Sequence, residues 1–170
     1  MEMEDLQHKF NALVGQYKER LYYLVRRFVP THEDADDVLQ EVFIKLWQHL
    51  PSFRGDSDIY TWIYRIAVNE SLSVLRKRKV RAALSFVSYD SFVDKIVDED
   101  PLFDGTALQA ELYKAVAALP SRQQSVFVLR YFEQMSYAQI SAVMGVTEGS
   151  LKASYHIAYE KIKARLTSHF

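Results

Sequence analysis

Apolar residues in the first half of the chain recur at steps of three and four positions, the spacing of one face of an α-helix. The stripes cover residues 10–28, 35–50 and 59–75, and a proline closely follows the end of each of the first two. The third predicts a helix over 57–81. None of these stripes can be buried alone, so the three helices are expected to pack as one bundle.

The helical period breaks down over residues 83–105, where serines, acidic residues, Pro101 and Gly105 dominate. A segment of this length exceeds the usual loop inside a compact domain. We therefore predict a linker that can contain short helical turns. It would join a domain over 1–82 to a second domain over 106–170.

Helical signals resume in the second half. Three Ser or Thr residues are each followed three positions later by glutamine, the spacing of a capping box at a helix start. The pairs are Thr106 with Gln109, Ser121 with Gln124, and Ser136 with Gln139. No polar–apolar alternation is long enough to predict a sheet. The expected fold is all-α, with two small helical domains joined by an acidic linker.

Residues 136–151 have the form of a helix-turn-helix. Ala138 is small where two helices must approach, Gly145 falls where the turn needs positive φ, and Thr147 can cap the second helix. The second helix would present polar residues to the DNA major groove. These are Ser150, Lys152, Ser154 and His156. A helical hairpin packed only for stability is the alternative.

The charge distribution is uneven although the net charge is only −1. Residues 76–81 carry five cations, whereas 90–104 carry six acids against Lys95 alone. This pattern favours a nucleic-acid contact followed by an acidic connector. A solvated helix end followed by a solubilising linker would also produce it.

The third helix combines aromatic, amide and cationic side chains. Tyr60, Trp62 and Tyr64 are followed by Arg65 and Asn69. Single-stranded bases stack on aromatic rings, cations track the backbone, and an amide can read a base edge. Each aromatic taken alone could equally be a core residue.

Several classes of protein are excluded by what the chain lacks. It has no cysteine, which removes disulfides and thiolate metal sites. It shows no signal peptide and no run of about 20 apolar residues, so we expect a cytoplasmic protein. The five histidines are scattered, and neither a nucleophile elbow nor a phosphate-binding glycine loop is present. We therefore predict no enzyme activity, catalytic residue, metal or cofactor.

These motifs together resemble the sigma factors of bacterial RNA polymerase. Residues 34–43 are similar to the helix that binds polymerase. The segments similar to the part that reads the −10 promoter element are 53–55, 61–69 and 75–78. The segments similar to the part that reads the −35 element are 119–124, 137–145 and 147–152. The order, spacing and length of the motifs resemble the extracytoplasmic-function (ECF) group, which keeps only these two domains.

The resemblance implies a role for each matching position. The residues implied to bind core polymerase are Asp37, Gln40 and Glu41. Those implied to bind the −10 element are Phe53, Arg54, Ser57, Asp58, Trp62, Arg65, Asn69, Arg76, Lys77 and Arg78. Those implied to bind the −35 element are Ser150, Lys152, Ser154 and His156. The linker would enter the active-site and RNA-exit channels of polymerase.

The resemblance also implies the partners. They are core RNA polymerase, promoter DNA (−35 duplex and −10 single strand) and an anti-sigma factor that can hold the protein at the inner face of the membrane. No small-molecule substrate is implied. Many relatives carry arginines after the position of Lys152, where this chain has Ala153, Ser154, Ile157 and Tyr159. Isolated DNA affinity is therefore expected to be low.

A conventional helix-turn-helix regulator is the alternative interpretation. It accounts for the second half of the chain, but gives no reason for the basic aromatic helix or the acidic linker. The two interpretations differ in one observation: a regulator binds duplex operator alone, whereas a sigma factor needs core polymerase.

Overall fold

The computed structural model describes residues 2–99 and 105–169, and every regular element within them is helical. The predicted all-α fold is confirmed. The helices are α1 (Met3–Arg26), α2 (His32–His49), α3 (Ile59–Leu84), α4 (Tyr89–Glu99), α5 (Ala107–Ala117), α6 (Ser121–Phe127), α7 (Tyr137–Met144) and α8 (Glu148–His169). A 3₁₀ turn (Leu50–Ser52) follows α2, and a π-helical turn (Val128–Phe132) extends α6.

Helices α1, α2 and α3 pack together in the first half, as the three apolar stripes predicted. Leu21, Leu24 and Val25 of α1 are fully buried. Thr31 caps α2, because its Oγ1 accepts a hydrogen bond from Asp34 N (3.0 Å). Helix α3 continues past its predicted end, to Leu84.

Much of the predicted linker is helical, because α4 occupies eleven of its residues. Val93 and Val97 of α4 are buried against Ala117 of α5. The Asp94 carboxylate lies 3.4 Å from the Arg165 guanidinium of α8. The helical spacing of these two valines was obscured by the acids around them. Asp100 and Asp104 of the predicted acidic linker lie outside the described residues.

Two of the three predicted capping boxes are confirmed. At α5, Gln109 N donates to Thr106 Oγ1 (3.2 Å) and Thr106 N donates to Gln109 Oε1 (2.8 Å). At α7, the same pair of bonds joins Ser136 and Gln139 at 3.1 and 2.9 Å. Side chains thus satisfy free backbone groups at both helix starts.

The third predicted capping box, at Ser121 and Gln124, is wrong. Ser121 is the first residue of α6, and Pro120 precedes it as the N-cap without a side-chain hydrogen bond. Gln124 is 1% exposed, and its Nε2 donates to Arg27 O (3.5 Å) in the first half of the chain. A contact between the two halves therefore replaces the local cap.

The two halves share one continuous core, which extends from Leu13 of α1 to Ile162 of α8. The main direct contact joins α3 to α7. Tyr113 of α5 adds another, because its hydroxyl lies 2.7 Å from Arg26 O and 2.6 Å from Val29 O. None of the helices within residues 2–99 and 105–169 combines the length and apolarity that a membrane span requires.

Candidate nucleic-acid and polymerase interfaces

A pocket of about 330 Å³ opens beside the start of α3. Phe53 and Trp62 form one wall, with stacked rings whose centroids are 4.8 Å apart. Gly55 turns the preceding loop at a φ of 77°, which favours glycine. The full lining is His49, Ser52, Phe53, Arg54, Asp56, Ser57, Trp62 and Arg65.

The pocket brings together five of the ten residues predicted to bind the −10 element: Phe53, Arg54, Ser57, Trp62 and Arg65. Asp58 precedes α3 as its N-cap residue without lining the pocket. Asn69 is exposed one helical turn beyond Arg65, on the same face of α3. Stacked rings, cations and an amide thus lie along one edge of the first half.

Arg65 is also held by the second half of the chain. Its Nε donates to Val143 O (3.4 Å), and its Nη2 donates to Ala142 O. These carbonyls lie at the end of α7, where helical C=O groups lack intrahelical partners and attract cations. The guanidinium of Arg65, which we expect to contact DNA, is therefore hydrogen-bonded to the end of α7 in this arrangement.

Tyr64 lies at a second polar contact between the halves. Its hydroxyl donates to Glu133 Oε2 (3.3 Å), and Arg27 lies 3.6 Å from the other carboxylate oxygen. The Arg27 guanidinium also stands 4.3 Å from the centroid of the Phe132 ring. Tyr64 is fully buried, so in this arrangement its ring cannot stack on a base as the sequence suggested.

Burial sets the electrostatics of this contact. It raises the pKa of Tyr64 and of Glu133, and it lowers the pKa of Arg27. The attraction between Arg27 and Glu133 opposes both of the shifts in that ion pair. We call Arg27, Tyr64, Phe132 and Glu133 the interdomain cluster.

The cations at the basic end of α3 lie in different surroundings. Arg78 forms a bidentate pair with Asp34 of α2, at 2.9 Å from Nε and 2.8 Å from Nη2. Hydrogen bonding to Asp34 raises the pKa of Arg78. Arg76 and Lys77 are both exposed, and Lys77 also lines a groove between α2 and α3. Arg76 is therefore better placed than Arg78 for the predicted phosphate contact.

The predicted polymerase-binding residues Asp37, Gln40 and Glu41 are exposed on one face of α2. Asp37 and Glu41 line the groove that also holds Lys77. Ile44 is 48% exposed one turn beyond Gln40. The sequence analysis missed Ile44. Its position outside the buried stripe of α2 could have indicated an exposed apolar contact.

The helix-turn-helix has the predicted local geometry. Gly145 closes α7 at a φ of 69°, with its N–H donating to Ser141 O (2.8 Å). Thr147 Oγ1 accepts from Ser150 N (3.3 Å) at the start of α8. Leu151 is fully buried and holds α8 on the core.

Replacing Gly145 by alanine should lower the free energy of unfolding by about 1–2 kcal/mol, because a Cβ is strained at this φ. Thermal and urea unfolding would measure the loss. Gly149 to alanine is the matched control, because Gly149 lies within α8 with open space around it and should gain stability. Equal stability changes in the two variants would contradict the role of the turn.

The predicted −35 residues divide into two groups on α8. Lys152 and His156 are exposed one turn apart, whereas Ser150 and Ser154 lie half-buried at the flank. Lys152 Nζ stands 5.7 Å from the centroid of Tyr137, and the Arg130 guanidinium stands 4.6 Å from the same centroid. The ring of Tyr137 therefore orients two cations beside the recognition helix.

Arg122 of α6 lies in the segment 119–124 that resembles the −35 reader, and it is a candidate DNA-binding residue beyond the four predicted ones. Its Nη1 lies 3.5 Å from Ser150 Oγ, which places an exposed guanidinium at the start of the recognition helix. An exposed guanidinium at this place is suited to a phosphate contact beside Lys152 of α8. In the part of the chain that is described, no grouping of His, Asp and Glu could hold a metal ion.

Comparison with known proteins gives the same two-part architecture. Sigma-70 region 2 matches residues 13–81, and Sigma-70 region 4 matches residues 109–162. The chain is 33% identical over 164 residues to the ECF RNA polymerase sigma-E factor of Escherichia coli K12, covering 92% of this chain and 85% of that protein. It is also 33% identical over 165 residues to the RNA polymerase sigma-H factor of Pseudomonas aeruginosa, covering 92% and 86%.

Two solved structures share the fold. One is the sigma factor RpoE in complex with the anti-sigma factor NepR from Bartonella quintana, with a TM-score of 0.74, 23% identity, and coverage of 94% of this chain and 97% of that one. The other is CnrH in complex with the cytosolic domain of CnrY, with a TM-score of 0.67, 22% identity, and coverage of 95% and 90%. By sequence and architecture, the chain belongs to the ECF family of RNA polymerase sigma factors.

Proposed function

We propose that the chain binds core RNA polymerase through α2 and selects promoters through α3 and α8. Residues 1–82 would bind polymerase and the −10 element, and 106–170 would bind the −35 element, with 83–105 joining them. The pocket beside α3 carries the proposal, since it gathers five predicted −10 residues around stacked rings in a chain that also holds a helix-turn-helix.

Each surface has a chemistry suited to its role. The pocket can take one unpaired base against Phe53 and Trp62, with Asn69 available to read a neighbouring base edge. Lys152 and His156 would enter the −35 major groove. The chain contributes recognition, while polymerase carries out nucleotide addition. An anti-sigma factor is the expected inhibitor, since the sigma factor RpoE of similar fold was solved in complex with the anti-sigma factor NepR.

Co-purification with core polymerase, followed by transcription from pooled genomic fragments, tests this function. We expect a complex whose transcripts start downstream of one shared pair of motifs. Glu41→Lys should weaken assembly by reversing charge on the α2 face, whereas Glu4→Lys, an exposed reversal on α1, should not. Binding to duplex DNA without core polymerase would instead favour a conventional regulator.

Replacing Arg122 by alanine should weaken binding to −35 duplexes about equally for all sequences. It should also reduce the dependence of log affinity on log salt by about 1, the value for one lost phosphate contact. Titration of holoenzyme with −35 probes over a salt series measures both. Lys9→Ala on α1 is an exposed cation control. An unchanged salt slope would remove Arg122 from the interface.

A further inference from the structure

The recognition helix α8 carries apolar side chains on the side that faces away from the core. Leu151, Ala158 and Ile162 are buried and show which side of α8 packs inward. Ala153 is exposed and Ile157 is 46% exposed, one turn apart on the outward side. Single exposed apolar residues are common on protein surfaces. These two, however, lie in the first three turns of the second helix of a helix-turn-helix, the part that contacts bases.

Cations flank this apolar pair on both sides. At one edge of the outward side, the Arg122 guanidinium of α6 contacts the start of α8. At the other edge, Lys152 Nζ stands 5.7 Å from the centroid of the Tyr137 ring. Phosphate contacts from two edges fix the position and orientation of a helix in the groove. Ala153 and Ile157 lie between the two edges and would therefore face the base pairs.

Charge favours DNA over a protein as the partner of this surface. The stretch 149–157 contains Lys152 and His156 and no acid, with Glu148 and Glu160 outside it. Lys152 and His156 are exposed beside the apolar pair, and Arg122 is exposed at its edge. A surface with cations at its edges suits a polyanion better than the apolar surface of a protein partner.

The chemistry of Ile157 limits the base that it can contact. In the major groove, guanine, adenine and cytosine present only acceptors and amino groups, whereas thymine also presents a C5-methyl group. Contact between Ile157 and a polar base edge would displace water without replacing its hydrogen bonds, which weakens binding. Contact with the thymine methyl group buries apolar surface on both partners. Thymine is therefore the favoured base at the facing position.

We propose that Ile157, with Ala153 beside it, reads thymine methyl groups in the −35 element. This inference rests on the proposed function and adds the class of base that α8 selects. Neither residue belongs to the four predicted −35 residues, of which Ser150 and Ser154 are half-buried. The side chain of Ala153 ends at Cβ, so it leaves room for the helix to approach the base edges closely.

Selection by the holoenzyme from promoters with a randomised −35 element, followed by base replacement, tests the inference. Deoxyuridine differs from thymidine only by the missing C5-methyl group. Replacing the thymine that faces Ile157 by deoxyuridine should weaken binding about three- to tenfold, the value of one or two buried methyl-sized groups. Ile157→Ala should lose most of this sensitivity. Met3→Ala, which removes a 71% exposed apolar side chain from α1, should keep it.

The variant Ile157→Arg gives a second, positive readout. Arginine pairs with guanine O6 and N7, so the selected base at the same position should change from thymine to guanine. Ile157 is exposed, so both variants should melt within about 3 °C of the unmodified chain. The deoxyuridine comparison in the unmodified chain does not depend on the folding of any variant.

Three results would overturn the inference. They are a selected −35 element without thymine, a neutral effect of deoxyuridine at every selected thymine, and an undiminished deoxyuridine effect in Ile157→Ala. A chain that fails to join core polymerase, or a holoenzyme that selects no −35 element, would instead contradict the proposed function.

Discussion

Replacing Trp62 by alanine should lower transcription from a cognate promoter by about 10- to 100-fold, the range for losing one stacked base. Trp62 forms a wall of the pocket beside α3 and stacks on Phe53. Alanine removes the flat surface but leaves the cations that attract the backbone. Promoter opening should therefore fail while assembly with core polymerase remains intact.

The chain offers a matched control at its other tryptophan. Trp47 packs edge-on against Phe10 of α1, at 5.2 Å between ring centroids, and does not line the pocket. Trp47→Ala should lower stability through lost packing without a specific loss of promoter opening. Open-complex formation per assembled holoenzyme is the measurement. A similar defect in both variants would mean that Trp62 acts only through stability.

Replacing Glu133 by alanine should shift the chain toward separated halves by about 10- to 100-fold. The Arg27 guanidinium and the Tyr64 hydroxyl would both lose a partner, and a buried polar group left unsatisfied costs about 1–3 kcal/mol. Energy transfer between dyes on cysteines introduced at Lys9 and Glu160 would report the separation. Glu19→Ala, an exposed acid of α1, is the control.

The same contact should depend on pH. Burial raises the pKa of Glu133, so the closed arrangement binds more protons than the separated one. Closure should therefore be strongest below the ordinary glutamate pKa of about 4.3 and weaken as pH rises through the raised value. The charged and titratable groups facing Glu133 are Arg20, Arg27, Tyr60 and Tyr64. The glutamine of Glu133→Gln cannot titrate, so this variant should lose the pH dependence of closure. A pH dependence that persists in Glu133→Gln would mean that another group titrates.

The sequence predicted features that depend on neighbours along the chain. The caps at Thr31, Thr106 and Ser136 were correct because each needs only the residues that follow it. Gly145 was correct because a turn requires one positive φ whatever surrounds it. The spacing of apolar residues and the capping signals therefore predicted the helices of both halves, with the exception of α4.

Features that depend on distant residues could not be predicted. Gln124 has the spacing of a cap but contacts Arg27 O instead. Tyr64 lies among base-stacking candidates along the chain, yet it contacts Glu133, 69 positions away. Arg78 lies in a run of cations, but Asp34 binds it. In each case a tertiary partner determines the role.

Helix α4 gives the connection between the two halves a reserve of length. Eleven residues span about 16 Å as a helix and about 36 Å when extended. Unwinding α4 would thus lengthen the tether by about 20 Å. The main cost is exposure of Val93 and Val97, about 1.5–3 kcal/mol for each side chain. We therefore expect the connection to let the two halves move farther apart than they lie when they share one core.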